Sequence, residues 1–136
     1  MMVYLDTNVL IYGSVEQSRE KREKSLEIIE NLIKKNELVL STLVLQEFVF
    51  TLAKLKVDSK IIQQDSDFYM NFVTVEHDHI LLEKAIAQCC KRDSCENIND
   101  ILHVYLAEKS KCKRLITFDS DFKKIATNSS LKIEVL

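Results

Sequence analysis

The 136-residue chain contains no proline and a single glycine, Gly13. Collagen-like, low-complexity and disordered classes are excluded on that ground, and 46% hydrophobic residues can supply a core. Connections are expected to be short, with helix ends closed by Asn, Asp or Ser in place of glycine. Charge of one sign is also lacking. Nineteen Lys and Arg stand against 21 Asp and Glu, a formal charge of -2. That argues against indiscriminate nucleic-acid binding through bulk charge, yet leaves room for a nucleic-acid enzyme built on local patches. Basic residues do cluster at 19–24, 54–60 and 109–114, although the interleaved glutamates of the first cluster read as pairing on a helix surface.

No apolar run approaches the roughly 20 residues needed to span a bilayer, and no leader-like segment precedes Val3. The expectation is a cytoplasmic, membrane-free chain forming one domain over 1–136. Its four cysteines, Cys89, Cys90, Cys95 and Cys112, lack paired C-x-x-C spacing, so they read as plain thiols of a reducing compartment.

What is present begins with Val3-Tyr4-Leu5, apolar on both faces as a strand buried inside a parallel sheet is. Further short strands are predicted at 38–40, 72–75, 115–117 and 131–136, with a turn over 127–130. Between them the spacing predicts helices over 9–12, 19–35, 43–55, 58–70, 80–90, 97–108 and 121–126, with Ile61, Ile62, Phe68 and Tyr69 as the inner contacts of the 58–70 helix. About five short strands alternating with helices mean parallel crossovers and a sheet covered on both faces, a three-layer α/β/α fold.

Four isolated acids interrupt the apolar pattern. Asp6 ends the first strand and Asp119 the fourth, where either can simply cap the helix that follows. Glu47 stands on a helix predicted to be buried nearly all round, on a line with Thr51 and Lys54, and the plain reading is an ion pair with Lys54. Asp100 stands in the first turn of the 97–108 helix, where Asn99 can cap and the helix dipole favours a carboxylate. His103 follows on the same face and reads as a core or rim histidine; His77 and His79 read as loop or cap residues. In a parallel sheet, however, all four acids reach one edge, at the carboxyl ends of the strands where ligands bind. Two anions about 4 Å apart repel by roughly 4 kcal/mol at an effective dielectric near 20, a conflict that a hard divalent cation resolves. Mg²⁺ or Mn²⁺ would suit the oxygen ligands, and the inferred chemistry is metal-dependent phosphodiester hydrolysis.

Leu5-Asp6-Thr7-Asn8, Gln46-Glu47-Phe48, Asn99-Asp100-Ile101-Leu102-His103 and Ile116-Thr117-Phe118-Asp119-Ser120-Asp121-Phe122 together resemble the PIN-domain ribonucleases, and in length and order the VapC-type toxins of toxin-antitoxin pairs. The resemblance implies that Asp6, Glu47, Asp100 and Asp119 bind Mg²⁺ or Mn²⁺ and carry catalysis, with Asp121 as a further acid. Thr7, Asn8 and Thr117 would be hydrogen-bond partners of that site. It further implies endonucleolytic cleavage of single-stranded RNA, a homodimer and a VapB-like antitoxin. Lys54, Lys111, Lys113 and Arg114 are candidates for phosphate contacts. Three alternatives stay open: an RNA-processing PIN nuclease that is not a toxin, a PIN-like module that binds RNA or a partner without cutting, and a small phosphohydrolase with Asp6 as nucleophile. The last would want an acid two residues after Asp6, where this chain has Asn8.

Overall fold

A computed structural model describes residues 1–127 and 130–136. Five strands form one sheet: β1 (Val3–Leu5), β2 (Leu38–Ser41), β3 (Val73–Val75), β4 (Arg114–Thr117) and β5 (Lys132–Val135). Their order is β3-β2-β1-β4-β5, and every pairing is parallel. Six α-helices cross between them: α1 (Thr7–Ser14), α2 (Arg19–Lys34), α3 (Thr42–Lys54), α4 (Ser59–Met70), α5 (His79–Lys91) and α6 (Ile98–Lys109). The architecture is the three-layer α/β/α sandwich expected from the alternation. The turn expected at 127–130 includes residues outside those described.

The apolar strands dictate this arrangement. Val3, Tyr4 and Leu5 on β1 and Leu115 and Ile116 on β4 are wholly or almost wholly buried, so both central strands need cover on each face. From β1 the chain builds outward to β2 and β3, then returns to the other side of β1 for β4 and β5. The direction of winding therefore reverses between β1 and β4, and the crevice at their carboxyl ends is the topological switch point.

The only glycine, Gly13, has a packing reason: a Cβ there would lie 3.3 Å from Ile29 Cδ1, so its absence lets α1 approach α2 closely. Helix ends that lack glycine put other residues into the left-handed region. Asn36 and Asp93 do so as the composition suggests, but Lys56 and Lys111 do so as well, with φ of 63° and 57°.

Three expectations need correction. Helix α3 is not buried all round: Leu43, Val44, Leu45, Phe48 and Leu52 face the core, whereas Val49, Phe50 and Leu55 are exposed. On α4, Tyr69 is buried but Ile61 and Phe68 face outward. The segment predicted as a helix over 121–126 is a 3₁₀ turn, Ser120–Lys124, short enough to leave Asp119 at the sheet edge.

Candidate functional site

Asp6 follows β1 in an extended conformation and caps α1. Its Oδ1 accepts the Thr7 N–H at 2.7 Å, and its Oδ2 accepts the Thr117 hydroxyl at 2.7 Å. Capping and site placement are thus the same contact. Thr117 ends β4, the neighbour of β1, and its Oγ1 also accepts the Asp119 N–H at 3.0 Å and the Asn8 side-chain amide at 3.3 Å. Asn8 Oδ1 in turn accepts the Phe118 N–H at 3.2 Å. Thr7, Asn8 and Thr117 therefore stitch the two strand ends together and fix the rotamer of Asp6.

Glu47 enters from α3, whose start is set by Ser41 at the end of β2. One carboxylate oxygen, Oε1, accepts from Thr7 Oγ1 at 2.6 Å and lies 2.6 Å from His103 Nε2. The other accepts the Asn99 side-chain amide at 2.9 Å. Glu47 forms no ion pair with Lys54, whose ammonium instead lies 5.5 Å from the centre of the Phe50 ring. The expected ion pair on α3 is replaced by a junction of α1, α3 and α6.

His103 is completely enclosed, and its other nitrogen, Nδ1, lies 2.7 Å from the Tyr4 hydroxyl, itself 2.7 Å from Ser41 Oγ. Ser41 Oγ also accepts the Val44 N–H at 3.1 Å. With the ring neutral, one direction uses every buried hydrogen: Val44 N–H to Ser41, Ser41 O–H to Tyr4, Tyr4 O–H to Nδ1, and Nε2–H to Glu47. A proton gained at Nδ1 reverses the two hydroxyls. His103 Nε2 also lies 3.6 Å from Asp6 Oδ1, so α6 brings one imidazole against two carboxylates.

Asp100, one helical turn before His103, is half-buried, and the charges of Asp6, Asp119 and Glu47 all act on it. Burial, Asp6 and Asp119 push its carboxyl up to about 7. Asp6 is raised by burial, against the opposing pull of His103 and Thr117. Glu47 goes the other way: burial disfavours its charge, but His103, Thr7 and Asn99 outweigh it and lower the pKa. His103 is the complement, raised despite its burial by the hydrogen bond to Glu47 and the charges of Asp6, Glu47 and Asp100. Such opposed shifts in adjacent groups are characteristic of functional clusters.

The four predicted acids thus gather at the edge between β1 and β4. Asp119 also caps the 3₁₀ turn by accepting the Asp121 N–H at 2.9 Å. Asp121 itself is exposed, 3.5 Å from Lys124, and lines a cavity of about 590 Å³ with Arg92, Asn97 and Ile101. The basic candidates are elsewhere. Lys111, Lys113 and Arg114 lie at the amino end of β4, the opposite edge of the sheet from Asp119. Arg114 pairs with Glu134 at 2.6 Å, and Lys113 donates to Ser130.

Ligand atoms of Asp6, Glu47 and His103 lie within 4.8 Å of one another, a donor set able to hold a cation. His103, Asn99, Tyr4 and Ser41 were not singled out as site residues by sequence. A signal for His103 existed: it is the one basic side chain in the apolar stretch after Asp100, three residues on and hence on the same helix face. Asn99 was expected to cap α6, but its amide serves Glu47, and α6 begins after Asn97 without a side-chain cap.

Among solved structures, VapBC2 from Rickettsia felis, crystallised bound to a DNA fragment from the promoter, superposes with a TM-score of 0.67 at 21% identity, covering 98% of each chain. VapBC-5 from Mycobacterium tuberculosis, of the VapBC family of toxin-antitoxin systems, superposes with a TM-score of 0.59 at 17% identity, covering 100% of each chain. At those identities the likeness is one of fold. Among curated proteins none matches the chain. The sequence does match the PIN domain family over residues 3–128, a span that takes in both central strands and all four clustered acids, and the chain accordingly belongs to the PIN-domain family.

Proposed function

We propose that the chain is a Mg²⁺- or Mn²⁺-dependent endoribonuclease that hydrolyses phosphodiester bonds in single-stranded RNA. The observation that carries this reading is the meeting of Asp6 and Glu47 beside His103 at the switch-point edge, their ligand atoms within 4.8 Å of one another, with Asp100 near enough to feel the charges of Asp6, Glu47 and Asp119. The donor set fits such an ion. Carboxylate oxygens suit either metal, and the burial and the repulsion from Asp6 and Asp119 that raise Asp100 to about 7 are an imbalance that a divalent cation would relieve.

When bound, the cation lowers the pKa of a water and offsets the charge of the phosphodiester. The protein supplies the positioning. Thr7 and Thr117 hold both oxygens of Asp6, which leaves that carboxylate poorly placed as a phosphohydrolase nucleophile. His103 and Asn99 hold the two oxygens of Glu47, so the pair of carboxylates faces the crevice in fixed rotamers. Asp100 and Asp119 close the crevice from α6 and from the end of β4. Water attacks phosphorus and gives up a proton as the new P–O bond forms, while the bridging P–O bond breaks and the displaced oxygen takes up a proton. RNA approaches past Asp121, where Arg92 and Lys124 line the adjoining cavity.

Likeness to the VapBC structures supports a toxin-antitoxin role with a VapB-like antitoxin; a cytoplasmic location and a homodimeric toxin are part of the same proposal and rest on the family resemblance alone. No helix among the described residues is long and apolar enough to cross a membrane. Exposed Val49, Phe50 and Leu55 on α3, with Ile61, Phe68 and Met70 on α4, support a protein partner on that side.

Cleavage of a labelled single-stranded RNA tests the activity. The purified chain should cut in Mg²⁺ or Mn²⁺ and stop in EDTA, and Asp6→Asn or Asp100→Asn should lose at least about a hundredfold in rate. Metal-independent cutting, or undiminished cutting by Asp6→Asn, would overturn the reading. Relief of growth arrest by a co-encoded small DNA-binding protein tests the toxin role separately.

A further inference from the structure

A second cluster of ligating side chains lies away from the acids. Cys89 and Cys90 stand on the last turn of α5, and Cys95 opens the 3₁₀ turn Cys95–Asn97 that leads into α6. The loop between them is tightly tied. Ser94 N–H donates to the Cys89 carbonyl at 2.9 Å and Asp93 N–H to the Cys90 carbonyl at 3.3 Å, while Asp93 takes a left-handed φ of 53°. That turn folds the chain back over the helix end. It places the Cys95 sulfur 3.5 Å from the Cys89 sulfur and 3.5 Å from the Cys90 sulfur.

We propose that Cys89, Cys90 and Cys95 form a zinc site, with three thiolates and solvent in the fourth position. All three sulfurs lie within 4.8 Å of one another. With Zn–S bonds of about 2.3 Å, sulfurs on a tetrahedral zinc are about 3.8 Å apart, close to the spacing already in place. Thiolates select soft or borderline ions, which separates this site chemically from the carboxylate cluster. Buried Cys89 forms the floor and exposed Cys90 and Cys95 the mouth, so an ion has an entry path.

The rival is a Cys90–Cys95 disulfide acting as a redox switch. It uses two sulfurs and gives no role to the third. Spacing along the chain concealed the site, because Cys-Cys-x₄-Cys becomes a cluster only through the turn at Asp93. Its position gives it a consequence for the acids: the Cys95–Asn97 turn runs directly into the first turn of α6, which carries Asn99 and Asp100. Filling the site would pin that turn.

The test is Co²⁺ titration of the reduced, metal-free full chain. Only thiolate ligation gives an intense near-ultraviolet sulfur-to-cobalt band, so ion bound at the carboxylates is silent in this readout. The expected result is one such ion per chain, displaced by Zn²⁺. Asp6→Asn and Cys112→Ser should keep the band, and Cys90→Ser and Cys95→Ser should each weaken zinc binding by about tenfold or more. Should either serine variant misfold, the wild type still decides: Zn²⁺ should slow maleimide labelling of Cys90 and Cys95 by at least about tenfold. No sulfur-to-cobalt band in the reduced wild type, or a band that survives both Cys90→Ser and Cys95→Ser, would overturn the proposal.

Discussion

His103 Nε2 lies 2.6 Å from Glu47 Oε1, joining α6 to α3 through a pair that is almost wholly withdrawn from water on the histidine side. Truncating one partner of such a pair strands the other. His103→Ala should therefore destabilise the fold by about 2–4 kcal/mol. Glu47→Gln, which keeps an acceptor for Nε2–H, should cost less. A double-mutant cycle read by urea unfolding should give a coupling of about 1–3 kcal/mol, and additive losses would mean that the contact contributes nothing of its own.

The Tyr4 hydroxyl serves Ser41 and His103 at once, so Tyr4→Phe removes one oxygen and leaves two buried polar atoms short of a partner. Ring packing is retained, and the loss isolates the hydrogen bonds. A cost of about 1–3 kcal/mol is expected, seen as a lower urea midpoint at unchanged slope. A Tyr4→Phe protein as stable as the parent would mean that the Ser41–Tyr4–His103 chain is energetically idle.

Most of the fold was legible because its strands carry no polar face. A run such as Val3-Tyr4-Leu5 suits the interior of a parallel sheet, and the alternation with helical spacings then leaves few topologies. The covering of α3 was not legible. Val49, Phe50 and Leu55 are as apolar as Phe48 and Leu52, and nothing in a single chain's spacing says which apolar side chains its own core will cover.

For the candidate site, the acids were legible as exceptions to apolar patterns, since a carboxylate on a buried face needs a reason. Their supports were not. Asn99 looks like a cap and Tyr4 like core, because both roles are set by what arrives from other elements: Glu47 from α3 in one case, His103 from α6 in the other. Lys54 was a plausible partner for Glu47 on spacing alone, but the carboxylate turns toward Thr7 and His103 instead.

Acid crowding predicts how stability depends on pH without metal. Asp6, Asp100 and His103 all have folded pKa values raised above their ordinary 3.8, 3.8 and 6.5. The stability each contributes is complete below its ordinary value and is lost as pH rises through the folded value, about 7 for Asp100. Glu47, lowered from 4.5, contributes in the opposite sense and loses its share as pH falls through its folded value. The metal-free protein should therefore melt several degrees lower at pH 8 than at pH 5.5. Millimolar Mn²⁺ should recover much of the difference at pH 8 and little at pH 5.5, where protons already occupy the raised groups. Asp100→Asn should melt higher than the parent at pH 8 without metal. Thermal scans at the two pH values check all three, and a parent more stable at pH 8 than at pH 5.5 would contradict the assignment.

Position decides which cations can matter to an RNA substrate. Lys111, Lys113 and Arg114 sit at the amino end of β4, whereas the acids sit at its carboxyl end, and Arg114 is already committed to Glu134. Arg92 and Lys124 instead line the cavity that Asp121 shares with Asn97 and with Ile101, the residue after Asp100. A joint Lys111→Gln, Lys113→Gln variant should cut RNA within about twofold of the parent, because an exposed charge more than a Debye length of about 8–10 Å from the scissile phosphate is screened. Arg92→Gln with Lys124→Gln should raise KM several-fold with little change in kcat and flatten the salt dependence of binding, as expected when phosphate contacts are removed. Steady-state cleavage at two salt concentrations separates the pairs. If Lys111 and Lys113 proved to be the sensitive ones, the substrate would have to wrap around the sheet edge to reach the acids.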